Sequence, residues 1–340
     1  YPDHDVVVTY TTKTAASIAA KELTDIYHVY SPLDFSWVVS KFFRVLKPEI
    51  LILIELELWP NWLMHAGKKG IPVLLANGRI SANSFGSYRR FKWLLQPAYN
   101  AITTWAMQDE AYAERATVLK SAASECAVTG NLKYDSLREA IDATRVSELR
   151  KLFGFTETEQ VVLFGSTHPG EHEIIAELLP LSVRVIIWPR HPERVAALCD
   201  MLKAAGIDFQ KRSELSADQP AHENVVIVGD TVGELSDVYG LANVVFVGGS
   251  LIPHGGQNMA EPIALGLPTI VGPHTHNFKA TMRDLREVNA IIEISDGAEL
   301  KSAIDSQLAN PTDVSAGRSR LIAGKGALQA HLAHINKLLS

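Results

Sequence analysis

Val244-Val245-Phe246-Val247-Gly248-Gly249-Ser250-Leu251-Ile252-Pro253-His254-Gly255-Gly256-Gln257-Asn258-Met259-Ala260-Glu261-Pro262 holds a short apolar strand, a turn with four glycines and the start of a helix. A strand that is apolar at every position is buried on both faces, as strands of parallel sheets are. Glycines let the backbone approach a ligand, and a helix amino terminus presents N–H groups to an anion. Asn258 and Glu261 are three apart, so they are expected to share a helix face. A carboxylate at that place can accept both hydroxyl hydrogens of a ribose. A glycine-rich turn with a capping Asn is the plainer reading of the same residues. It is the glycines together with Asn258 and Glu261 that favour a ligand.

The same alternation of short apolar strands and longer amphipathic stretches extends in both directions. Strands are predicted at Val6–Thr9, Ile50–Ile54, Val73–Leu75, Thr103–Met107, Ala127–Thr129, Val161–Gly165, Val183–Trp188, Val225–Val228, Val244–Val247, Thr269–Val271 and Ile291–Ile294. Helical patterns lie between them, among them Thr14–Leu23, Ser36–Leu46, Gln108–Lys120, Glu193–Ala205 and Leu300–Leu308. That order predicts parallel sheets covered by helices on both faces. The pattern fades over Lys133–Ala143, a polar and helical stretch, and restarts at Val161. Two doubly wound, Rossmann-like domains are therefore expected, residues 1–140 and 141–340, with ligands at the carboxyl ends of their sheets in the cleft between them.

Composition narrows the class. The chain has 340 residues, 47% hydrophobic and 21% charged, enough for two domains with cores of their own. Its net charge of −6 disfavours non-specific nucleic-acid binding. The first 140 residues are nearly neutral, 15 basic against 14 acidic, and the remainder carries 17 against 24, so the front half is the better match for an anionic partner. The two cysteines, Cys126 and Cys199, lack metal or redox spacing. The longest apolar run, Ile50–Leu58, is interrupted by Glu55 and Glu57 and reads as a buried strand, well short of a membrane span.

Other strand ends carry chemistry. Trp188-Pro189-Arg190-His191-Pro192-Glu193-Arg194 places Arg190 where a strand runs out, and guanidinium suits bidentate phosphate recognition. Gly229-Asp230-Thr231-Val232-Gly233-Glu234 ends a strand in a turn whose amides could read a base edge. In the front half, Glu55 and Glu57 stand two apart in Ile54-Glu55-Leu56-Glu57-Leu58-Trp59-Pro60, which predicts one strand face. Asn77-Gly78-Arg79-Ile80-Ser81 and Gly130-Asn131-Leu132-Lys133-Tyr134-Asp135 close two more strands, and Lys133 reads either as a cation at the inter-domain cleft or as a solvated linker lysine. His168-Pro169-Gly170-Glu171-His172 matches the H-x-x-E-H pattern of some zinc peptidases, but Pro169-Gly170 opposes the helix that chemistry requires, and a turn is expected. His274 and His276 read as a polar loop. Tyr88-Arg89-Arg90-Phe91-Lys92-Trp93-Leu94-Leu95 mixes basic and aromatic residues on a predicted helix, a composition that suits either a membrane interface or an ordinary amphipathic helix. The dinucleotide and P-loop glycine patterns do not occur.

Together, Glu55–Pro60, Asn77–Ser81, Thr129–Asp135, Ser166–Glu171, Pro189–Arg194, Gly229–Leu235, Gly248–Pro262 and Gly272–Phe278 resemble the Kdo (3-deoxy-manno-octulosonate) transferases, inverting enzymes with the GT-B fold. The resemblance runs nearly end to end. It implies transfer of Kdo from CMP-Kdo to a lipid A precursor (lipid IVA), without metal or cofactor, by a peripheral protein at the cytoplasmic face of the bacterial inner membrane. It implies an acceptor-binding first domain and a CMP-Kdo-binding second domain. By the same resemblance Pro189, Arg190, Val232, Gly233, Glu234, Asn258, Met259, Ala260 and Glu261 hold the CMP moiety, and Glu57 and Lys133 stabilise the transition state. The family often has Arg at the position of Asn83 and a second Glu at that of His172. It also begins with a membrane-associated helix, a strand and a Ser-Val-Gly-Glu turn bearing the catalytic base. These 340 residues contain no Ser-Val-Gly-Glu, so the first domain is expected to lack its first strand and the site its base. Other readings are a different GT-B nucleotide-sugar enzyme, such as a UDP-sugar transferase or epimerase, or a catalytically inactive nucleotide-sugar-binding subunit.

Overall fold

The computed structural model describes residues 1–179 and 181–340, apart from the side chain of Asn83, the position at which the family often carries Arg. The chain forms two compact units, one of residues 1–132 with 326–340, the other of residues 133–325. The cut thus falls eight residues before the expected boundary, and the last fifteen residues return to the first unit instead of ending the second.

In the first unit, β1 (Val7–Tyr10) and β2 (Tyr27–Tyr30) make a parallel pair of their own. β3 (Leu51–Ile54), β4 (Val73–Gly78), β5 (Thr104–Met107) and β6 (Glu125–Val128) form a separate parallel sheet in that order. Alternate residues divide between its faces. Leu53, Val73, Leu75, Trp105 and Met107 pack on one side with Trp62 and Leu63 from the helix Pro60–Lys69. Leu74, Ala76 and Ala106 face the other, where Ile335 and Leu338 of the final helix, Ala327–Leu339, cover them. That apolar cover is why the chain end belongs to this unit. Ile52 and Ile54 on β3 remain 37% and 49% exposed, so the run Ile50–Leu58 is only partly a buried strand.

In the second unit seven parallel strands are ordered β13-β12-β11-β7-β8-β10-β9. They are β7 (Val161–Thr167), β8 (Arg184–Pro189), β9 (Phe209–Lys211), β10 (Val226–Val228), β11 (Val244–Val247), β12 (Thr269–Val271) and β13 (Ile292–Glu293). Val161, Leu163, Ile186, Trp188, Val245 and Val247 enter one core, and their neighbours Val162, Phe164, Val185, Ile187, Val244 and Phe246 enter the other. Burial on both faces is why these strands read as continuous apolar runs. From β7 the chain passes to β8, on to the edge strand β9 and back to β10 between them, then crosses to the other side of β7 at β11, so the topological switch point lies between β7 and β11.

Two strands lacked a sequence signal. β2 (Tyr-His-Val-Tyr) is mostly exposed, and β9 (Phe-Gln-Lys) is a three-residue edge strand. Between the short helix Leu132–Asp135 and the helix that begins at Ala143, residues 136–142 of the stretch Lys133–Ala143 are not helical. The basic-aromatic stretch breaks at Phe91 into two helices, Ala82–Arg90 and Lys92–Tyr99. Among the described residues no helix is long and apolar enough to cross a membrane.

Candidate functional site

At the switch point of the second unit, glycines bring three loops together. A Cβ on Gly248 would lie 2.4 Å from the Ser166 carbonyl oxygen, and one on Gly272 would lie 2.4 Å from that of Ser250. The helix Glu171–Leu178 starts only after Gly170, so His168 lies in the turn before it and His172 inside it. The two imidazoles have separate partners, Gln257 for His168 at 2.9 Å and Thr167 for His172 at 3.0 Å.

Glu171, one position from that histidine, is completely buried. Oε1 accepts the N–H groups of Ser250 (3.0 Å) and Leu251 (3.1 Å), and Oε2 those of Gly249 (2.8 Å) and His168 (3.0 Å). Burial pushes its carboxyl above the usual range, and the four N–H groups oppose that rise. The glycine loop was expected to offer its amides to a ligand. Three of them are instead satisfied internally by this carboxylate, which ties the β11 loop to the β7 turn.

Asn258 and Glu261 do meet, though not as two residues on a helix face. The helix is Ala260–Ala264, and Asn258 precedes it, accepting the Ala260 N–H at 3.2 Å while its Nδ2 donates to Glu261 Oε1 at 2.9 Å. Burial raises the Glu261 carboxyl above its ordinary value, and Asn258, Arg138 and Arg190 pull the other way. Arg190 leaves the end of β8 with its N–H donated to the Thr167 carbonyl at 3.0 Å and its side chain exposed. Pro189 ends β8 against the core, and Met259 and Ala260 are buried beneath the loop, so these three contribute backbone and shape more than side-chain chemistry.

The turn after β10 puts Val232 at an exposed tip and Gly233 at φ 90°. Glu234 turns toward cations, accepting from Arg145 and Arg212 at 2.8 Å each and from the Thr231 hydroxyl at 2.6 Å. Arg138 pairs with Asp237 at 2.5 Å. Arg138, Arg145 and Arg212 carried no motif signal, because they come from unrelated segments and meet only in the fold.

In the first unit the strand ends carry the other candidates. β3 stops at Ile54 and Glu55 takes a positive φ of 60°, so Glu55 and Glu57 do not lie on one strand face as their spacing suggested. Glu55 pairs with Arg79 at 3.2 Å, and the exposed Glu57 accepts the Trp59 indole N–H at 2.7 Å. Asn77, buried and at φ 51°, accepts the Leu132 N–H at 3.1 Å through its side chain. Its own N–H donates to His331 Nε2 of the final helix at 2.7 Å. Lys133 follows directly from that anchor and is exposed. Glu57 and Lys133 belong to different units by the compact division of the chain.

Two parallel-sheet units with the candidate residues at their strand ends have the GT-B fold. The fold agrees with solved structures: Acinetobacter baumannii MurG (TM-score 0.58, 14% identity, 99% of this chain and 92% of that one) and a glycosyltransferase from Rickettsia africae (TM-score 0.55, 12% identity, 99% and 91%). Within that class, the family model described as 3-deoxy-D-manno-octulosonic-acid transferase (kdotransferase) matches residues 1–136. The 3-deoxy-D-manno-octulosonic acid transferase of Haemophilus influenzae is 34% identical over 97% of this chain and 79% of its own length. The chain belongs to the Kdo transferase family.

Proposed function

We propose that the chain serves the transfer of Kdo from CMP-Kdo to a lipid A precursor of the lipid IVA type, with inversion at the anomeric carbon, without a metal ion, and with the base supplied by the family's Ser-Val-Gly-Glu turn, which these 340 residues do not contain. The second unit takes the donor and the first the acceptor. The observation that carries the donor reading is the convergence of Arg190 with the Asn258–Glu261 pair at the strand ends beside the switch point. Glu261 receives the ribose hydroxyls, Arg190 meets the phosphate, and the turn Val232–Glu234 lies against the base. When the bond to the phosphate breaks, negative charge grows on CMP. Arg190 supplies the neutralisation that a divalent ion gives in other transferases. Glu57 and Lys133 act on the transfer step.

Calorimetry with CMP tests the donor site. Arg190→Ala and Glu261→Ala each remove a charge-assisted bond and should weaken CMP by about tenfold or more, following a loss of roughly 1.5–3 kcal/mol. Parental affinity in both variants would refute the assignment.

The paired helices Ala82–Arg90 and Lys92–Tyr99 support a peripheral place at the inner membrane. Trp93 is 78% and Leu94 58% exposed beside Arg89, Arg90 and Lys92, an apolar and cationic combination that suits an anionic lipid surface. Flotation with anionic vesicles should be lost in Trp93→Glu, and an unchanged bound fraction would argue against this surface.

A further inference from the structure

The amides of the β11 loop are largely unavailable to a bound anion, because Gly249, Ser250 and Leu251 all donate to Glu171. The helix that follows, Ala260–Ala264, is a turn and a half long and adds little field of its own. Recognition of negative charge beside this loop therefore falls to side chains, and the side chains gathered there are imidazoles. The His168 ring lies 4.2 Å from that of His254 and 5.7 Å from that of His191, measured between centroids. His168 is buried, and the Gln257 amide donates to its Nε2, which places the ring proton on Nδ1.

The cluster continues the nucleotide residues on two segments at once. His191 follows Arg190, and Gln257 precedes Asn258. A donor held through those neighbours would carry its sugar, an acid, into the adjoining space. We propose that His168 and His254, set by Gln257, form the subsite for the carboxylate of the donor sugar. This subsite rests on the nucleotide reading above and adds to it the means of telling CMP-Kdo from CMP.

The surroundings of His168 disfavour a proton on the free ring. Burial pushes its pKa down to about 4, and the neighbouring His254, His191, His172 and Arg194 add to that fall. Of the nearby carboxylates, Glu171 bonds the His168 backbone N–H rather than the ring, and Glu193 sits 3.2 Å from His191. The free ring is consequently neutral at pH 7. An arriving carboxylate supplies the missing counter-charge and favours the imidazolium, whose new Nε2–H is accepted by the Gln257 amide once it turns its Oε1 toward the ring, so binding takes up a proton from solvent and tightens as pH falls from 8 toward 6.

Titrate CMP and CMP-Kdo calorimetrically into the 340-residue chain and into His254→Ala and His168→Gln, in two buffers of different ionisation enthalpy. His254 is exposed, so its replacement does not threaten the fold. The subsite predicts that both variants lose about tenfold or more for CMP-Kdo and stay within about threefold for CMP. It also predicts a buffer-dependent heat, reporting proton uptake, for CMP-Kdo alone. If the parent binds CMP but the variants treat CMP and CMP-Kdo alike, or the heat is buffer-independent, the subsite is wrong and the nucleotide reading stands. A parent that binds neither ligand overturns both.

Discussion

In an enzyme that also carries the family's Ser-Val-Gly-Glu turn, replacing Glu57 by Gln or Lys133 by Ala should lower turnover of Kdo transfer on the order of 10²–10³-fold and leave CMP affinity within about twofold. The structure motivates the size of the effect through how firmly each group is placed. Glu57 is fixed by the Trp59 indole, and its charge raises the Tyr88 hydroxyl pKa after burial has done so. Lys133 emerges from Leu132, whose N–H is held by Asn77, itself held by His331 of the final helix. Neither lies among the residues assigned to CMP, so their loss should appear in kcat and not in nucleotide binding. Measuring kcat from CMP-Kdo to a lipid A precursor beside CMP calorimetry separates the two. Variants with full turnover, or with affinity falling in step with activity, would contradict this division of roles.

Glu171→Ala should be the most destabilising single change in the second unit, by at least about 3 kcal/mol. It strands four backbone N–H groups from the β7 turn and the β11 loop in a buried place. Glu171→Gln should cost nearly as much. Each carboxylate oxygen accepts two N–H groups, so either orientation of the amide turns its NH2 against two donors. Urea denaturation followed with CMP binding checks this, because unlocking that loop also displaces Gln257 and Asn258. Parental stability in both variants would show that the loop is held by something other than this carboxylate.

Much of the second unit was legible because its strands are buried on both faces, and an uninterrupted apolar run of four such as Val244–Val247, closed by glycines, suits little besides a central parallel strand. Arg190 and the Asn258–Glu261 pair could be singled out because chemistry at strand ends stands out against apolar sequence. The pair then proved to meet through a hydrogen bond from Asn258, which precedes the helix, rather than on a shared helix face. Glu171 could not be read, since a carboxylate that accepts amides from a loop some eighty residues away looks in sequence like any helix-start acid. His168 read as a turn residue, and its placement was right, but its burial against His254 is a tertiary fact. The final helix was assigned to the wrong unit for a related reason. An amphipathic pattern states that one face is covered, not which sheet covers it; Ile335 and Leu338 against Leu74, Ala76 and Ala106, with His331 on the Asn77 N–H, decide that.

Every role assigned to the second unit depends on its reading a cytidine nucleotide. Parallel calorimetric titrations of the 340-residue chain with CMP and with UDP decide whether it does. CMP should bind at least about tenfold tighter than UDP, with Arg190→Ala weakening both nucleotides because its contact is to the phosphate they share. UDP binding as tightly as CMP, or more tightly, would contradict the cytidine assignment.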